Sequence, residues 1–158
     1  MEPLRGELRD YEPIEPKGFD WRGLARRIWA PIAALIGVAI KFGAFFAKFG
    51  LLYLNDGVVG GKRILHEDWV DFCAAATLDT DYAAGFWTNR SEHPNAKGRV
   101  RLGIPRDAFF ASGDLGQRIV IMPSQRLVVV RLGDSVDPTG DIRGLGRLVK
   151  EVIAAVQP

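Results

Sequence analysis

One apolar stretch, residues 28–47, constrains the fold of this chain more than any other feature, and only Lys41 interrupts it. Twenty helical residues at about 1.5 Å each cover about 30 Å, the thickness of the hydrocarbon core of a bilayer. The stretch therefore predicts a membrane-spanning helix; the alternative is a long soluble helix docked on the following domain. Lys41 lies nearer the carboxy-terminal end, where its ammonium group can snorkel outward. Pro31 fits either interpretation as a residue of the first helical turn.

The charge distribution divides the chain into three parts and predicts its orientation. Residues 1–21 form a polar arm, residues 22–48 the apolar, membrane-spanning helix, and residues 49–158 a soluble segment. Arginines at positions 22, 26 and 27 precede the apolar stretch, whereas Lys62 and Arg63 follow it. Because basic residues favour the cytoplasmic side, the pattern predicts a membrane-associated protein whose carboxy-terminal segment lies outside the cytoplasm.

Composition excludes several classes of function. The formal net charge of +2 is too small to indicate a nucleic acid as partner. The single cysteine, Cys73, excludes an internal disulfide framework. His66-Glu67 begins like a zinc-protease helix, but Val70 occupies the position of the second histidine ligand. The sequence therefore predicts no metal site and no cofactor.

After residue 48 the apolar pattern changes to that of short elements joined by turns. Residues 55–57 end the first helix, because Gly57 suits a left-handed exit conformation, and Gly60-Gly61 marks another turn. Residues 83–89 read as a strand, and the polar residues 90–106 as a surface loop. A short helix is predicted over residues 66–76, with one core-facing side made of Trp69, Phe72, Cys73 and Ala76.

Three apolar strands with short connections form the strongest structural signal, over residues 108–112, 117–121 and 126–132. Their continuous apolar runs are typical of strands that are covered on both faces. Asp141 is then placed to cap a final helix. That helix carries a stripe at helical spacing that should pack on the sheet: Ile142, Leu145, Leu148, Val149, Val152, Ile153 and Val156. The predicted fold is α/β of the α+β type, an antiparallel sheet of about three to four strands with a packed carboxy-terminal helix, preceded by the long apolar helix.

Several segments of residues 47–158 resemble, in the same order, the carboxy-terminal part of the β-lactamase and penicillin-binding-type serine hydrolases. They are Phe49-Gly50-Leu51-Leu52-Tyr53-Leu54-Asn55-Asp56-Gly57, Gly61-Lys62-Arg63-Ile64-Leu65, Tyr82 with Ala84-Gly85-Phe86-Trp87, Phe109-Phe110-Ala111-Ser112-Gly113-Asp114-Leu115-Gly116-Gln117, Ile119-Val120-Ile121-Met122-Pro123-Ser124 and Val128-Val129-Val130-Arg131-Leu132-Gly133. The resemblance implies a partial β-lactamase-like fold in which residues 109–117 carry the third catalytic box of the family.

Acyl transfer in that family needs a Ser-x-x-Lys box, a Tyr-x-Asn or Ser-x-Asn box, and a Lys-Thr-Gly or His-x-Gly box. Only the third box has a counterpart here, with Asp114 in the place of Lys or His, where it would repel a substrate carboxylate. Gly116 permits close backbone approach, and the N–H of Gln117 is the candidate oxyanion donor; the alternative is a plain hairpin turn. No serine is followed three residues later by lysine. Tyr53-Leu54-Asn55 matches the second box by letters alone, since it lies at a helix end.

The amino-terminal 46 residues carry a weaker resemblance, to the leader and first apolar segment of some bacterial site-2-protease-like membrane proteins. It rests on Trp21, Trp29-Ala30-Pro31-Ile32-Ala33 and Lys41-Phe42-Gly43-Ala44-Phe45. The His-Glu-x-x-His box of that family is absent from the 158 residues. Two partial resemblances that meet near Ala47 suggest a fusion.

Three functional hypotheses follow. The first is a truncated, catalytically incomplete serine hydrolase segment tethered to a membrane. The second is a hydrolase for β-lactam, peptide or ester acyl transfer that a partner chain completes in trans. The third is a non-enzymatic, membrane-anchored binding module whose Asp114 loop recognises a cationic or neutral ligand. A sheet face left uncovered in the first case would favour a homo-oligomer or a complementing chain as partner.

Overall fold

The computed structural model describes residues 21–135 and 138–156, so the predicted polar arm, residues 1–21, lies outside the described residues except for its last position. The chain forms two compact units, Met1–Val38 and Ala39–Pro158, and the sheet lies in the second. The helices and strands are α1 (Trp21–Leu54), β1 (Val58–Val59), β2 (Lys62–Arg63), α2 (Trp69–Ala74), β3 (Trp87–Thr88), α3 (Pro94–Arg101), β4 (Phe109–Ser112), β5 (Arg118–Met122), β6 (Leu127–Arg131) and α4 (Pro138–Val156). The chain is therefore α/β, as predicted.

Helix α1 contains the predicted apolar segment of residues 22–48 and continues to Leu54, so it ends just before residues 55–57, as predicted. The prediction that Pro31 belongs to the first turn is wrong, because the helix begins at Trp21 and Pro31 lies in its interior. A proline there removes one hydrogen bond of the helical ladder, a local loss within a helix of 34 residues. Among the described residues, α1 contains a segment long and apolar enough to cross a membrane, Arg26–Leu54.

The predicted turns after α1 are confirmed. Gly57 has a φ of +75° and donates its N–H to Leu52 O at 2.8 Å, which closes the helix in the manner of a glycine cap. Gly60 and Gly61, with φ of +57° and +77°, connect the antiparallel pair β1 and β2. Positive φ at both central positions is the requirement of a tight hairpin turn, which glycine meets without strain.

Helix α2 is shorter than the predicted residues 66–76, and its buried side differs from the predicted one. Cys73 is buried as expected, but Trp69 and Phe72 are 44% and 60% exposed. Val70 and Ala74 are buried instead. Asp68 precedes the helix with a φ of +67°, so the helical path starts later than the sequence pattern indicated. Six residues are less than two turns, too few for periodicity to define a face.

The predicted surface loop of residues 90–106 contains a helix, α3, and this prediction is wrong. Pro94 occupies the first turn, where a missing N–H does no harm, and His93 Nδ1 accepts the N–H of Asn95 at 3.3 Å. The inward side of α3 is formed by Ala96 and by the arginine Arg99, which is 6% exposed. Because the buried position carries a charge, the segment shows no apolar periodicity.

The three predicted strands form the core of an antiparallel sheet in the order β3-β4-β5-β6. Of the predicted strand of residues 83–89, only β3 pairs with β4. Strand β5 is covered on both faces, as its apolar run predicts. One cluster, the α4 face, contains Phe110, Val120, Met122, Val129, Leu145 and Val149. The other, the α1 face, contains Cys73, Phe86, Phe109 and Ile121, packed by Phe49, Tyr53 and Val128.

The end of α1 covers one face of the sheet, the face that the hypothesis of a truncated hydrolase would leave exposed. A Cβ on Gly50 would overlap Val128 Cγ1 and lie 3.0 Å from Ile119 Cγ2, so glycine allows the helix backbone to lie directly on β5 and β6. The aromatic rings of Phe49 and Tyr53 pack near Phe86, with centroids 6.4 Å and 4.8 Å from its ring. The carboxy-terminal end of the apolar helix thus belongs to the core of the second compact unit.

Helix α4 packs on the sheet as predicted, with Leu145 and Val149 fully buried. Two details of that prediction are wrong. Val156, at the end of the stripe, is 55% exposed. Asp141 is no cap: the helix begins at Pro138, and Asp141 lies in its first turn with a side chain that is buried against the sheet.

Candidate functional site

The loop between β4 and β5 contains Asp114, Gly116 and Gln117, the site residues implied by the resemblance, in one tight turn. Asp114–Gly116 form a 3-10 turn with Leu115 at φ +50° and Gly116 at φ +86°. A Cβ on Gly116 would lie 2.5 Å from Arg131 Nη1 and 2.6 Å from an oxygen of Asp141. Only glycine fits both this backbone angle and this close approach.

The hydrogen bonds of the turn occupy the group that was expected to bind an oxyanion. The N–H of Gln117 donates to Asp114 O at 3.1 Å. The exposed carboxylate of Asp114 accepts the N–H of Leu115 at 2.9 Å. A substrate oxyanion at this loop would therefore meet a negative charge and a donor that is already bonded. This geometry favours the alternative of a hairpin turn over a working catalytic box.

A buried ion cluster lies behind the turn, and the sequence analysis missed it. Arg118 and Arg131 stand directly opposite each other in the pairing of β5 with β6. Asp141 from α4 forms an ion pair with Arg118 and lies 3.3 Å from Arg131 Nη1. The side chains of Arg118 and Asp141 are only 10% and 8% exposed. Like charges in opposed positions repel, and the carboxylate of Asp141 offsets that repulsion between the two arginines.

The same arginines hold the backbone of the candidate loop. Arg118 donates to the carbonyls of Gly113 and Gln117 at 3.2 Å and 2.8 Å. Arg131 donates to the carbonyl of Gly116. Since Asp141 positions both guanidinium groups, the shape of the loop depends on α4. One signal in the sequence could have revealed this cluster: the predicted strands place two arginines opposite each other, and such a pair needs an acid.

All four serines of the chain lie within the described residues, and their contacts indicate structural roles. Ser91 Oγ accepts the backbone N–H of His93 at 2.9 Å, a turn interaction that does not involve the imidazole ring. Ser124 Oγ donates to the carboxylate of Asp107 at 2.9 Å, and Ser135 Oγ accepts a hydrogen bond from Arg131 Nη2 at 2.5 Å. Ser112, the serine next to the loop, is exposed at the end of β4. None of these contacts pairs a serine with a lysine, the activating group of the Ser-x-x-Lys box.

Cavities lie on both sides of the loop. On the α4 face a cavity of about 630 Å³ is lined by Trp87, Arg99, Phe110, Ser112, Arg118 and Ile142. Arg99 is fully engaged there, with bonds of 2.7 Å to Asp81 and to Asn89. On the α1 face, cavities of about 270 Å³ and 420 Å³ share Phe46, Gln117 and Leu132 as lining residues. The loop thus borders an apolar space beside α1.

Metal-ligating side chains, Cys73 and His66 do not form a second candidate site within the described residues. Within residues 21–135 and 138–156, no group of three or more His, Cys, Asp or Glu side chains is arranged to hold a metal ion. Cys73 is 1% exposed, and burial raises the pKa of its thiol, so it stays protonated at neutral pH. His66 Nδ1 lies 2.6 Å from the carbonyl of Glu67.

The candidate site therefore consists of a glycine-dependent turn, an exposed carboxylate and a buried ion cluster that fixes them. Its geometry is the evidence for its function. Comparisons of the chain with models of known protein families and with curated proteins find no match.

Proposed function

We propose that this chain is a membrane-tethered module of the β-lactamase and penicillin-binding type that carries out no acyl transfer by itself. The observation that carries the proposal is the state of the loop at the third-box position. Asp114 presents a carboxylate to solvent, and the N–H of Gln117 is bonded within the turn. A basic residue at that position attracts a substrate carboxylate in the family, so the reversed sign of charge at Asp114 disfavours such a substrate.

The second support is the lack of the Ser-x-x-Lys pair that supplies the activated hydroxyl in the family. Acyl transfer by serine needs a base within hydrogen-bond distance of the nucleophile. No serine of the 158 residues is followed three residues later by lysine, and the described serines make the structural contacts given above. Catalysis by this module would need a Ser-x-x-Lys segment from another chain, which is the hypothesis of completion in trans.

The membrane tether is supported by the exposed surface of α1. Its exposed apolar side chains are Ile28, Trp29, Ile32, Leu35, Ile36, Val38, Ile40, Phe42, Phe45 and Leu51. Burying such surface is favourable by about 25 cal/mol per Å², and a bilayer provides that burial over about 20 residues of the helix. The arginines before the apolar stretch favour an orientation with the amino terminus in the cytoplasm and the sheet outside it.

The catalytic part of the proposal is tested by acyl labelling. The purified full chain is incubated with a fluorescent penicillin and with a fluorescent serine-directed phosphonate, and adducts are sought by gel and mass spectrometry. We expect no labelled protein. A stable acyl adduct on any serine would overturn the proposal, and loss of that adduct in Ser112→Ala would place it at the loop. Labelling that requires an added chain with a Ser-x-x-Lys box would support completion in trans.

The tether is tested by flotation with phospholipid vesicles. The full chain should float with the vesicles, whereas Ile36→Lys combined with Ile40→Lys should remain in the aqueous fraction. Each central lysine costs about 2.5–3.5 kcal/mol on insertion scales. Leu78→Lys is the matched control, because Leu78 is 89% exposed and lies outside α1. Equal flotation of both variants would exclude α1 as the anchor.

A further inference from the structure

We infer that the second compact unit is partly immersed in the membrane interface, with an apolar rim of Phe42, Leu115 and Leu132 at the boundary between headgroups and acyl chains. The inference rests on the proposed tether and adds the surface that meets the lipid. These side chains are 58%, 50% and 46% exposed. They line one cavity of about 420 Å³ next to the candidate loop, together with Gly133 and Asp134.

The course of α1 along the sheet shows where the helix leaves it. Gly50 lies against Val128, and a Cβ on Gly43 would lie 4.0 Å from Leu132 Cδ1. Seven residues of helix cover roughly 10 Å and four residues of strand roughly 13 Å, so the two contacts describe one antiparallel alignment. Followed toward its amino terminus, α1 therefore passes the rim at the end of β6.

The length of the apolar stretch brings the rim to the membrane. A span of about 30 Å needs about 20 helical residues, which is the whole of residues 28–47. Residues 43–47 belong to that span but also lie beside the sheet, and they account for roughly 7 Å of helix. If the whole apolar stretch is immersed in the bilayer, the rim must also enter the bilayer, by roughly 7 Å. Interfacial apolar groups in proteins lie about 5–10 Å deep, so the rim would reach the acyl boundary.

Charged side chains near the rim limit this depth. Asp114 is adjacent to Leu115, and Asp134 follows Leu132 by two residues. Both carboxylates are exposed and have to stay in the aqueous part of the interface. Lys41 and Lys48 are exposed on α1, one on either side of Gly43 along the helix. Long lysine side chains can reach lipid phosphates from such positions. The rim therefore contacts the interface and does not enter the middle of the bilayer.

Site-specific fluorescence tests the inference on the full chain. Leu115→Cys and Leu132→Cys are labelled with the environment-sensitive dye NBD and reconstituted into phosphatidylcholine–phosphatidylglycerol vesicles. Leu78→Cys, in the loop between α2 and β3, is the matched control. The native Cys73 is buried, so the parent chain carried through the same labelling supplies the background. Lipids with nitroxide groups near the headgroup or deep in the acyl chain then report depth.

The outcomes separate the rim from the tether. We expect a blue-shifted emission at positions 115 and 132, its loss with the shallow nitroxide lipid, and a water-like emission at position 78. Water-like emission at all three positions of a protein that still floats with vesicles would overturn the rim and leave the tether intact. A protein that does not float would overturn both. Stronger quenching by the deep nitroxide would also overturn the inference, because the adjacent carboxylates exclude that depth.

Discussion

The two faces of the sheet are covered by helices of opposite character. Helix α4 buries Leu145 and Val149 and presents an exposed ion pair between Arg147 and Glu151 on its outward side. Helix α1 covers the other face, yet its outward side is apolar as well, and it approaches the strands through Gly50. The position of α4 therefore follows from its amphipathic pattern. The end of α1 is held by Gly50 and by the aromatic rings of Phe49 and Tyr53, and most of its other apolar side chains are exposed.

The largest expected effect concerns the charge cluster that accompanies the apolar contacts of α4. Asp141→Ala leaves Arg118 and Arg131 opposite each other without their shared carboxylate. Removing one partner from a buried ion cluster costs about 3–5 kcal/mol, so the free energy of unfolding should fall by about that amount. Chemical denaturation measures it. Asp134→Ala, at an exposed position of the preceding loop, is the control, and equal losses in both variants would show that the cluster is not needed.

A second test compares two glycines of α4, Gly144 and Gly146, which are separated by one residue. A Cβ on Gly146 would lie 2.7 Å from the backbone oxygen of Leu102, whereas a Cβ on Gly144 meets nothing within 4 Å. Gly146→Ala should lower the free energy of unfolding by about 1–3 kcal/mol, because a backbone atom cannot move aside cheaply. Gly144→Ala should raise it by up to about 1 kcal/mol through helix propensity. Thermal unfolding of both variants gives the comparison, and stabilisation by both would place α4 farther from α3 than the structure does.

The same test on α1 should give a smaller loss. Gly50→Ala pushes a Cβ into the methyl groups of Val128 and Ile119, which are side chains and can yield. We expect a loss near the lower end of about 1–3 kcal/mol, measured by thermal unfolding in detergent. Gly37→Ala is the control, since nothing lies within 4 Å of its Cβ. If Gly50→Ala were as stable as Gly37→Ala, the end of α1 would not lie directly on the sheet.

These differences explain how far the fold could be predicted from the sequence. Strands β4, β5 and β6 and helix α4 were predictable because their apolar residues follow a regular period. Helix α3 was not, because its buried side includes Arg99, whose partners Asp81 and Asn89 are distant in sequence. The exposed Trp69 and Phe72 were assigned to the core on type and spacing alone, but a helix of one and a half turns does not fix which side faces inward.

The position of the candidate site could be predicted from the sequence, but the hydrogen bonding of its backbone groups could not. The glycines around Asp114 locate a turn, and the strands on either side fix its place at one end of the sheet. Whether the N–H of Gln117 is free depends on the left-handed conformation of Leu115 and on the bonds that Arg131 makes to the loop. Arg131 also contacts Asp141, which comes from a helix that follows the sheet. A local sequence pattern does not predict a contact between residues that are this distant in sequence.

The smallest expected effect lies on the outward side of α4. Glu151 accepts a hydrogen bond from Arg147 Nε at 2.8 Å, one helical turn away, and this contact raises the pKa of the guanidinium group. Both side chains are well exposed, so water and salt screen the pair. Glu151→Gln should lower the midpoint of thermal unfolding slightly at low ionic strength and not at all in molar salt, because the Debye length then falls to about 3 Å. A loss that persists in high salt would mean that this side of α4 packs against another surface.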